Sequence, residues 1–69
     1  EWTMEILWLP INGKFVEVTL EVSTETYKID GKDHHIVKHD GSGFRYLATA
    51  DAISKMRDDS SKVSAIMSA

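Results

Sequence analysis

The chain has 69 residues, a formal net charge of −3 and no cysteine. A chain of this length forms one domain at most and buries only about 60% of its unfolded surface, so disulfides, metals or self-association commonly stabilise such domains. The lack of cysteine excludes disulfides and thiolate metal sites, and it is compatible with a cytoplasmic location. Self-association is therefore a favoured source of stability, and a homo-oligomer is among the expected states.

Charge is distributed unevenly along the chain. Residues 1–26 carry five acids and one base, whereas residues 27–57 carry six bases and four acids. An acidic chain is a poor non-specific ligand of nucleic acid, because such binding depends on neutralising phosphates. The longest apolar run, residues 6–10, is far shorter than the about 20 residues that a membrane-spanning helix needs. Glu1 and Glu5 stand where a secretory signal requires positive charge, so neither a membrane span nor a signal peptide is predicted.

Residues 14–22 carry the clearest periodic pattern, in which branched apolar residues alternate with Glu17, Thr19 and Glu21. This alternation predicts a strand with one buried face and one wetter face. The preceding Asn12-Gly13 pair favours a two-residue hairpin turn, because both central positions of a type I′ turn have positive φ. Pairing the residues that flank this turn aligns residues 3–11 with residues 14–22. The face predicted to form the core contains Leu7, Leu9, Val16, Val18 and Leu20.

The second face of this hairpin mixes large apolar side chains with acids. Trp, Phe and Met are enriched at the centres of protein interfaces, and Trp is common among the residues that dominate binding energy. Pro10 predicts that the first strand lies at a sheet edge, because proline has no N–H to donate to a neighbouring strand. We therefore predict a partner-binding face; the alternative is that the chain itself covers it. Its residues are Met4, Ile6, Trp8, Phe15, Glu17 and Glu21.

Three further strands are predicted after the polar Ser23-Thr24 pair, which we interpret as a break. The turn between the first two lies at Asp30-Gly31 or one residue later, and the glycine-rich residues 40–43 form the turn before the last strand. The predicted pairing places Val37 opposite Tyr46. The three strands are residues 25–30, 33–39 and 44–48.

The pattern changes to helical spacing at Thr49, which we predict as an N-cap. Residues 58–61, two aspartates and two serines, are typical of a helix end followed by a new cap. We favour two helices over residues 49–69, and the alternative is one helix that runs to about Ser68. The predicted fold is α+β: an antiparallel β-meander of four to five strands over residues 1–48, followed by one or two C-terminal helices packed on one sheet face.

Catalytic and metal sites are not predicted. Asp33, His35 and His39 alternate on one strand face, but two histidines four residues apart lie about 13 Å apart along a strand, too far for one ion. Ser42 lies in a glycine-rich turn, where serine is ordinary turn chemistry, so a nucleophile is disfavoured. No cofactor is expected.

The sequence therefore favours a small non-enzymatic protein-binding regulator or inhibitor. Its partner is an unidentified protein, which contacts the apolar and acidic face of the first hairpin. The alternative is a nucleic-acid-binding regulator that uses a basic surface of the sheet and helix. The residues of that alternative surface are Lys28, Lys38, Arg45 and Arg57.

Overall fold

Four strands and one helix form the protein in a computed structural model that describes residues 1–69. The strands form one antiparallel sheet in the order β1-β2-β3-β4, and the helix packs on one of its faces. The predicted α+β meander with C-terminal helix is thereby confirmed. No helix combines the length and the apolar composition needed to cross a membrane. The elements are β1 (Trp2–Ile11), β2 (Lys14–Ile29), β3 (Lys32–His39), β4 (Arg45–Thr49) and α1 (Ala50–Met67).

The first hairpin has the predicted register over its whole length. Ile11 pairs with Lys14, and the alignment continues without interruption to the pair of Thr3 and Val22. Asn12 and Gly13 have φ angles of 50° and 80°, as a type I′ turn requires at both central positions. Because this turn contains only two residues, it aligns every later pair of the hairpin.

The polar pair after Val22 does not break the second strand. β2 continues to Ile29, and its register with β3 shifts between Val22 and Thr26, which is a β-bulge. The buried Ser23 hydroxyl accepts the Ile36 N–H at 2.8 Å and donates to the Glu25 carbonyl at 2.9 Å. The prediction of a separate third strand is therefore wrong, because the serine hydroxyl replaces a backbone partner and keeps the ladder closed.

The remaining turns also follow from local residues. The second tight turn lies at Asp30-Gly31, both with positive φ, so the first of the two predicted positions is observed. Val37 lies opposite Tyr46 as predicted. In the third turn the Ser42 hydroxyl donates to the His39 carbonyl at 2.9 Å, and this hydrogen bond stabilises the turn.

α1 is a single helix that begins directly after β4. Thr49 caps it as predicted, since its hydroxyl accepts the Ala52 N–H at 3.2 Å. The favoured break at residues 58–61 is wrong, because these residues lie inside the helix. Ser60 is buried against the sheet and accepts the backbone N–H of Trp8 at 2.8 Å. A residue that favours caps in isolation is held in the helix by a partner on β1.

The core lies between the sheet and α1. Leu20 and Val37 are fully buried at its centre. Val16 and Val18, predicted as core, are only partly buried, since α1 contacts β1, β3 and β4 more than β2. The buried apolar residues are Leu7, Leu9, Leu20, Val22, Val37, Ala48 and Ile53.

Candidate protein-binding surface

The sheet face opposite α1 is open and carries most of the predicted partner-binding residues; we call it the open face. Alternation along the hairpin places Met4 and Ile6 on β1 and Phe15 on β2 on this side. Their exposed fractions are 63%, 68% and 47%, so neither the helix nor another part of the sheet covers them. Leu47 on β4 extends the same face and is 49% exposed. The open face is therefore an apolar surface of the folded chain.

Charged residues of both signs lie on the open face, in a row that runs from strand to strand. Glu21 on β2 lies between Met4 on β1 and Lys38 on β3, and Lys38 pairs in turn with Arg45 on β4. The acids thus occupy the hairpin half of the face, and the bases occupy the β3–β4 half. The sequence assigned these acids and bases to two competing surfaces, whereas the sheet places them side by side.

Trp2 contributes a cation–π contact at one end of the open face. The Lys38 ammonium lies 3.9 Å from the centroid of the Trp2 ring. Contacts of this kind contribute roughly 0.5–1 kcal/mol at exposed sites. Lys38 is thereby partly engaged within the chain, and the indole ring is held against the sheet.

Trp8 differs from its neighbours on the face. It is half-buried, its backbone N–H is bound by Ser60, and it lines a cleft beside α1 that Ser64 also lines. A change at Trp8 therefore alters the helix–sheet contact as well as the open face. Ile6 and Phe15 are the cleaner probes of this surface.

The four bases of the alternative nucleic-acid surface do not lie together. Lys38 and Arg45 are on the open face, whereas Arg57 is on α1. Lys28 lies on the helix side of the sheet, 3.8 Å from the Asp33 carboxylate. The structure brings two of the four together and separates the others from them.

A cleft of about 530 Å³ opens between the N-terminal half of α1 and the sheet. Inside it the Tyr46 hydroxyl donates to the Met56 sulfur at 3.8 Å, and His39 Nε2 lies 3.1 Å from the same hydroxyl. Burial lowers the pKa of His39 and raises the pKa of Tyr46, so both stay neutral near neutral pH. Phe44 packs edge-on against His39. The arrangement joins the sheet to the helix through one chain of polar contacts in an apolar cleft.

The alternating residues Asp33, His35 and His39 do not converge on one point. His35 Nδ1 donates to the Ser23 carbonyl at 2.8 Å, at the bulge, while His39 lies in the cleft. The chain has no group of three or more His, Asp or Glu side chains that could hold a metal ion. The histidines instead connect strands to each other and to neighbouring side chains.

We expect Glu5→Gln to reduce the loss of stability in acid. Arg57 donates to both carboxylate oxygens of Glu5, at 2.6 to 2.9 Å, and this hydrogen bond lowers the pKa of Glu5 below its usual 4.5. A folded-state pKa below the unfolded value stabilises the fold above the unfolded pKa, and that contribution is lost as pH falls through the folded pKa. Because both side chains are partly exposed, the contribution is about 1 kcal/mol or less.

Urea unfolding at about pH 6 and at about pH 3 measures this contribution. The wild type should lose more stability between the two than Glu5→Gln does. Glu17→Gln is the matched control, since Glu17 is exposed and forms no ion pair. Equal losses in the wild type and Glu5→Gln would contradict the assignment.

Of two features of this region, one could be predicted from the sequence and the other could not. The grouping of His39, Phe44 and Tyr46 was accessible, because the β3–β4 register already places them on one face. The contact of Ser60 with β1 had no local signal, because its partner lies 52 residues away along the chain.

Comparisons with protein-family models, with curated proteins and with solved structures find no match for the chain.

Proposed function

We propose that the chain is a small non-enzymatic protein-binding regulator or inhibitor, which acts by covering part of a partner's surface with the open face. The observation that carries the proposal is the joint exposure of Met4, Ile6 and Phe15 on the side away from the core. Monomeric proteins rarely expose large contiguous apolar patches, and such patches often mark interaction sites. A partner would remove these side chains from water, which is the main favourable contribution to association.

The charges on the open face describe the partner that fits it. Glu17 and Glu21 favour basic groups opposite the hairpin half, and Lys38 and Arg45 favour acidic groups opposite the β3–β4 half. An apolar strip lies between and beside these charges. The matching surface is therefore apolar, with bases along one side and acids along the other.

Ile6→Asp is expected to abolish capture of the partner, while Ile66→Asp is expected to leave it unchanged. Both isoleucines are highly exposed, at 68% and 73%, but Ile6 is on the open face and Ile66 is near the end of α1. The measurement is affinity capture from the source cell, with captured proteins compared quantitatively between the wild type and the two variants. Equal loss in both variants, or loss in neither, would contradict the proposal.

Phe15→Ala gives a second readout that does not add a charge. Phe15 lies near the turn of the first hairpin, outside the buried core, so the fold should be retained while partner affinity falls. Circular dichroism before and after the substitution checks that the fold is intact. Loss of the fold in Phe15→Ala would show that this face is structural.

The alternative proposal, nucleic-acid binding through basic residues, separates from the first by its salt dependence. Affinity for nucleic acid falls steeply with added salt, because phosphate contacts release counterions. Charge reversal of Lys38 and Arg45 should then weaken nucleic-acid binding, whereas Ile6→Asp should reduce that affinity less.

We also propose a cytoplasmic location, which the lack of cysteine supports.

A further inference from the structure

The outer edge of β1 is protected only at the end that leads into the hairpin turn. In the hairpin the closing pair Ile11–Lys14 is hydrogen-bonded, and such pairs alternate with pairs whose backbone groups point away from the partner. The even-numbered residues of β1 therefore direct their N–H and C=O groups outward. Two of these are closed: Ser60 accepts the N–H of Trp8, and Pro10 has no N–H.

Trp2, Met4 and Ile6 present the other outward N–H groups of this edge. β1 is the first strand of the sheet and pairs only with β2, so no strand covers them. None of the hydrogen bonds to side chains, turns or caps uses these three N–H groups. Natural proteins usually block such edges with proline, charge or a covering element. In β1 such protection covers Trp8 and Pro10 but not the three residues nearer the N-terminus.

We propose that this edge pairs with the same edge of a second copy, which forms a two-fold dimer with one continuous sheet. The strands run antiparallel, with Met4 on the two-fold axis opposite Met4 of the second copy. Trp2 then lies opposite Ile6 of the other copy, and Ile6 opposite Trp2. Each of these pairs exchanges two N–H···O bonds, so all three unused donors gain acceptors.

Neighbouring registers are poorer because of residues already on β1. An axis at Ile6 pairs Trp2 with Pro10, which lacks a donor, and Met4 with Trp8, whose donor is taken by Ser60. An axis at Glu5 places two glutamates directly opposite each other, which is unfavourable. With the axis at Met4, Glu5 faces Thr3 instead, and no like charges of β1 are directly opposite.

The side chains of the same residues support self-pairing. Met4 and Ile6 are among the most exposed apolar residues of the protein, and in the dimer they meet Met4 and Trp2 of the other copy. Cross-strand apolar pairs of this kind stabilise adjacent strands. A single added strand pair buries less than a standard interface, so the dimer should form in a concentration-dependent way. The pairing shares Met4 and Ile6 with the proposed partner-binding face, but it depends on the outward backbone N–H groups of β1, which that face does not use.

A charge exchange at Met4 tests both the dimer and its register. Met4→Lys alone and Met4→Glu alone each place two like charges opposite each other at the axis. Each should raise the dimer dissociation constant by about tenfold or more, as measured by sedimentation equilibrium. An equimolar mixture of the two variants should associate more tightly than either alone, because the introduced charges then have opposite sign.

Phe15→Lys and Phe15→Glu are the matched controls, since Phe15 is exposed on the open face but lies on β2, away from the seam. Each should dimerise like the wild type, and mixing them should change nothing. Amide hydrogen exchange gives a second readout. The N–H groups of Trp2, Met4 and Ile6 should gain protection with rising concentration, while that of Trp8 should be protected throughout.

Four results would overturn the dimer. The first is a wild-type protein that stays monomeric up to about 1 mM, a range that weak interfaces populate. The second is a dimer that both Met4 variants retain unchanged. The third is assembly beyond two copies, which would indicate head-to-tail pairing of β1 with the other sheet edge at β4. The fourth is amide protection of Trp2, Met4 and Ile6 that does not depend on concentration. The dimer experiments contain no other protein, so their failure does not decide whether a partner binds. Phe15→Ala, which lies on β2 away from the seam, tests partner binding apart from the dimer.

Discussion

Leu20→Ala is expected to lower the free energy of unfolding by about 2–5 kcal/mol. Leu20 has no exposed surface and lies on β2 between Glu5 of β1 and His39 of β3. Its removal leaves a cavity under α1 that the neighbouring strands cannot close without moving. A chain of 69 residues has a total stability of roughly 3–10 kcal/mol, so this one change should remove a large part of it.

Chemical denaturation of the wild type and Leu20→Ala measures the difference in unfolding free energy. Ile6→Ala is the control, because Ile6 is an apolar residue of the adjacent strand with 68% of its surface exposed. It should change stability by about 0.5 kcal/mol or less under conditions where the protein is monomeric. A loss of similar size in both variants would contradict the position of the core on the α1 side.

Ser23→Ala is expected to lower the free energy of unfolding by about 1–3 kcal/mol. The substitution removes the acceptor of the Ile36 N–H and the donor to the Glu25 carbonyl, both at the bulge of β2. Ser23 is buried, so water replaces these partners poorly. The loss of unfolding free energy should be larger than for the same substitution at an exposed serine, because two backbone groups lose their hydrogen-bond partner at once.

Hydrogen exchange locates the effect of Ser23→Ala. The Ile36 amide should exchange faster than in the wild type, and the β2–β3 pairs beyond the bulge should open more readily. Ser61→Ala is the control, since Ser61 is exposed on α1 and is a neighbour of the buried Ser60. If Ser23→Ala has the stability and exchange pattern of Ser61→Ala, the hydroxyl does not hold the bulge.

The composition of the open face follows from alternation along β1 and β2, but its exposure does not. The same pattern is compatible with a face that the C-terminal segment covers. Exposure depends on which side α1 takes, and α1 lies on the side where Leu7, Leu9 and Leu20 form the larger apolar surface. The addition of Lys38 and Arg45 to the open face required the β2–β3 register, which the bulge at Ser23 shifts.

Elements with local causes can be predicted from the amino-acid sequence. Asn12-Gly13 supports positive φ at two adjacent positions, and a two-residue turn leaves only one register for the strands beside it. For the second turn the sequence left two positions open, and the structure shows the one at Asp30-Gly31. Strand alternation then assigns side chains to faces, and Thr49 begins the helix with its own hydroxyl. Each of these signals acts within a few residues, so it can be recognised without the rest of the fold.

The conformation at polar residues in the middle of elements depends on tertiary packing. Ser23 and Ser60 both resemble break points, because serine competes locally for backbone partners. In the folded chain their hydroxyls bind the N–H groups of Ile36 and Trp8, which are 13 and 52 residues away. Those distant partners convert a strand break into a bulge and a helix end into a helix centre, and they become available only once the sheet and α1 have packed together.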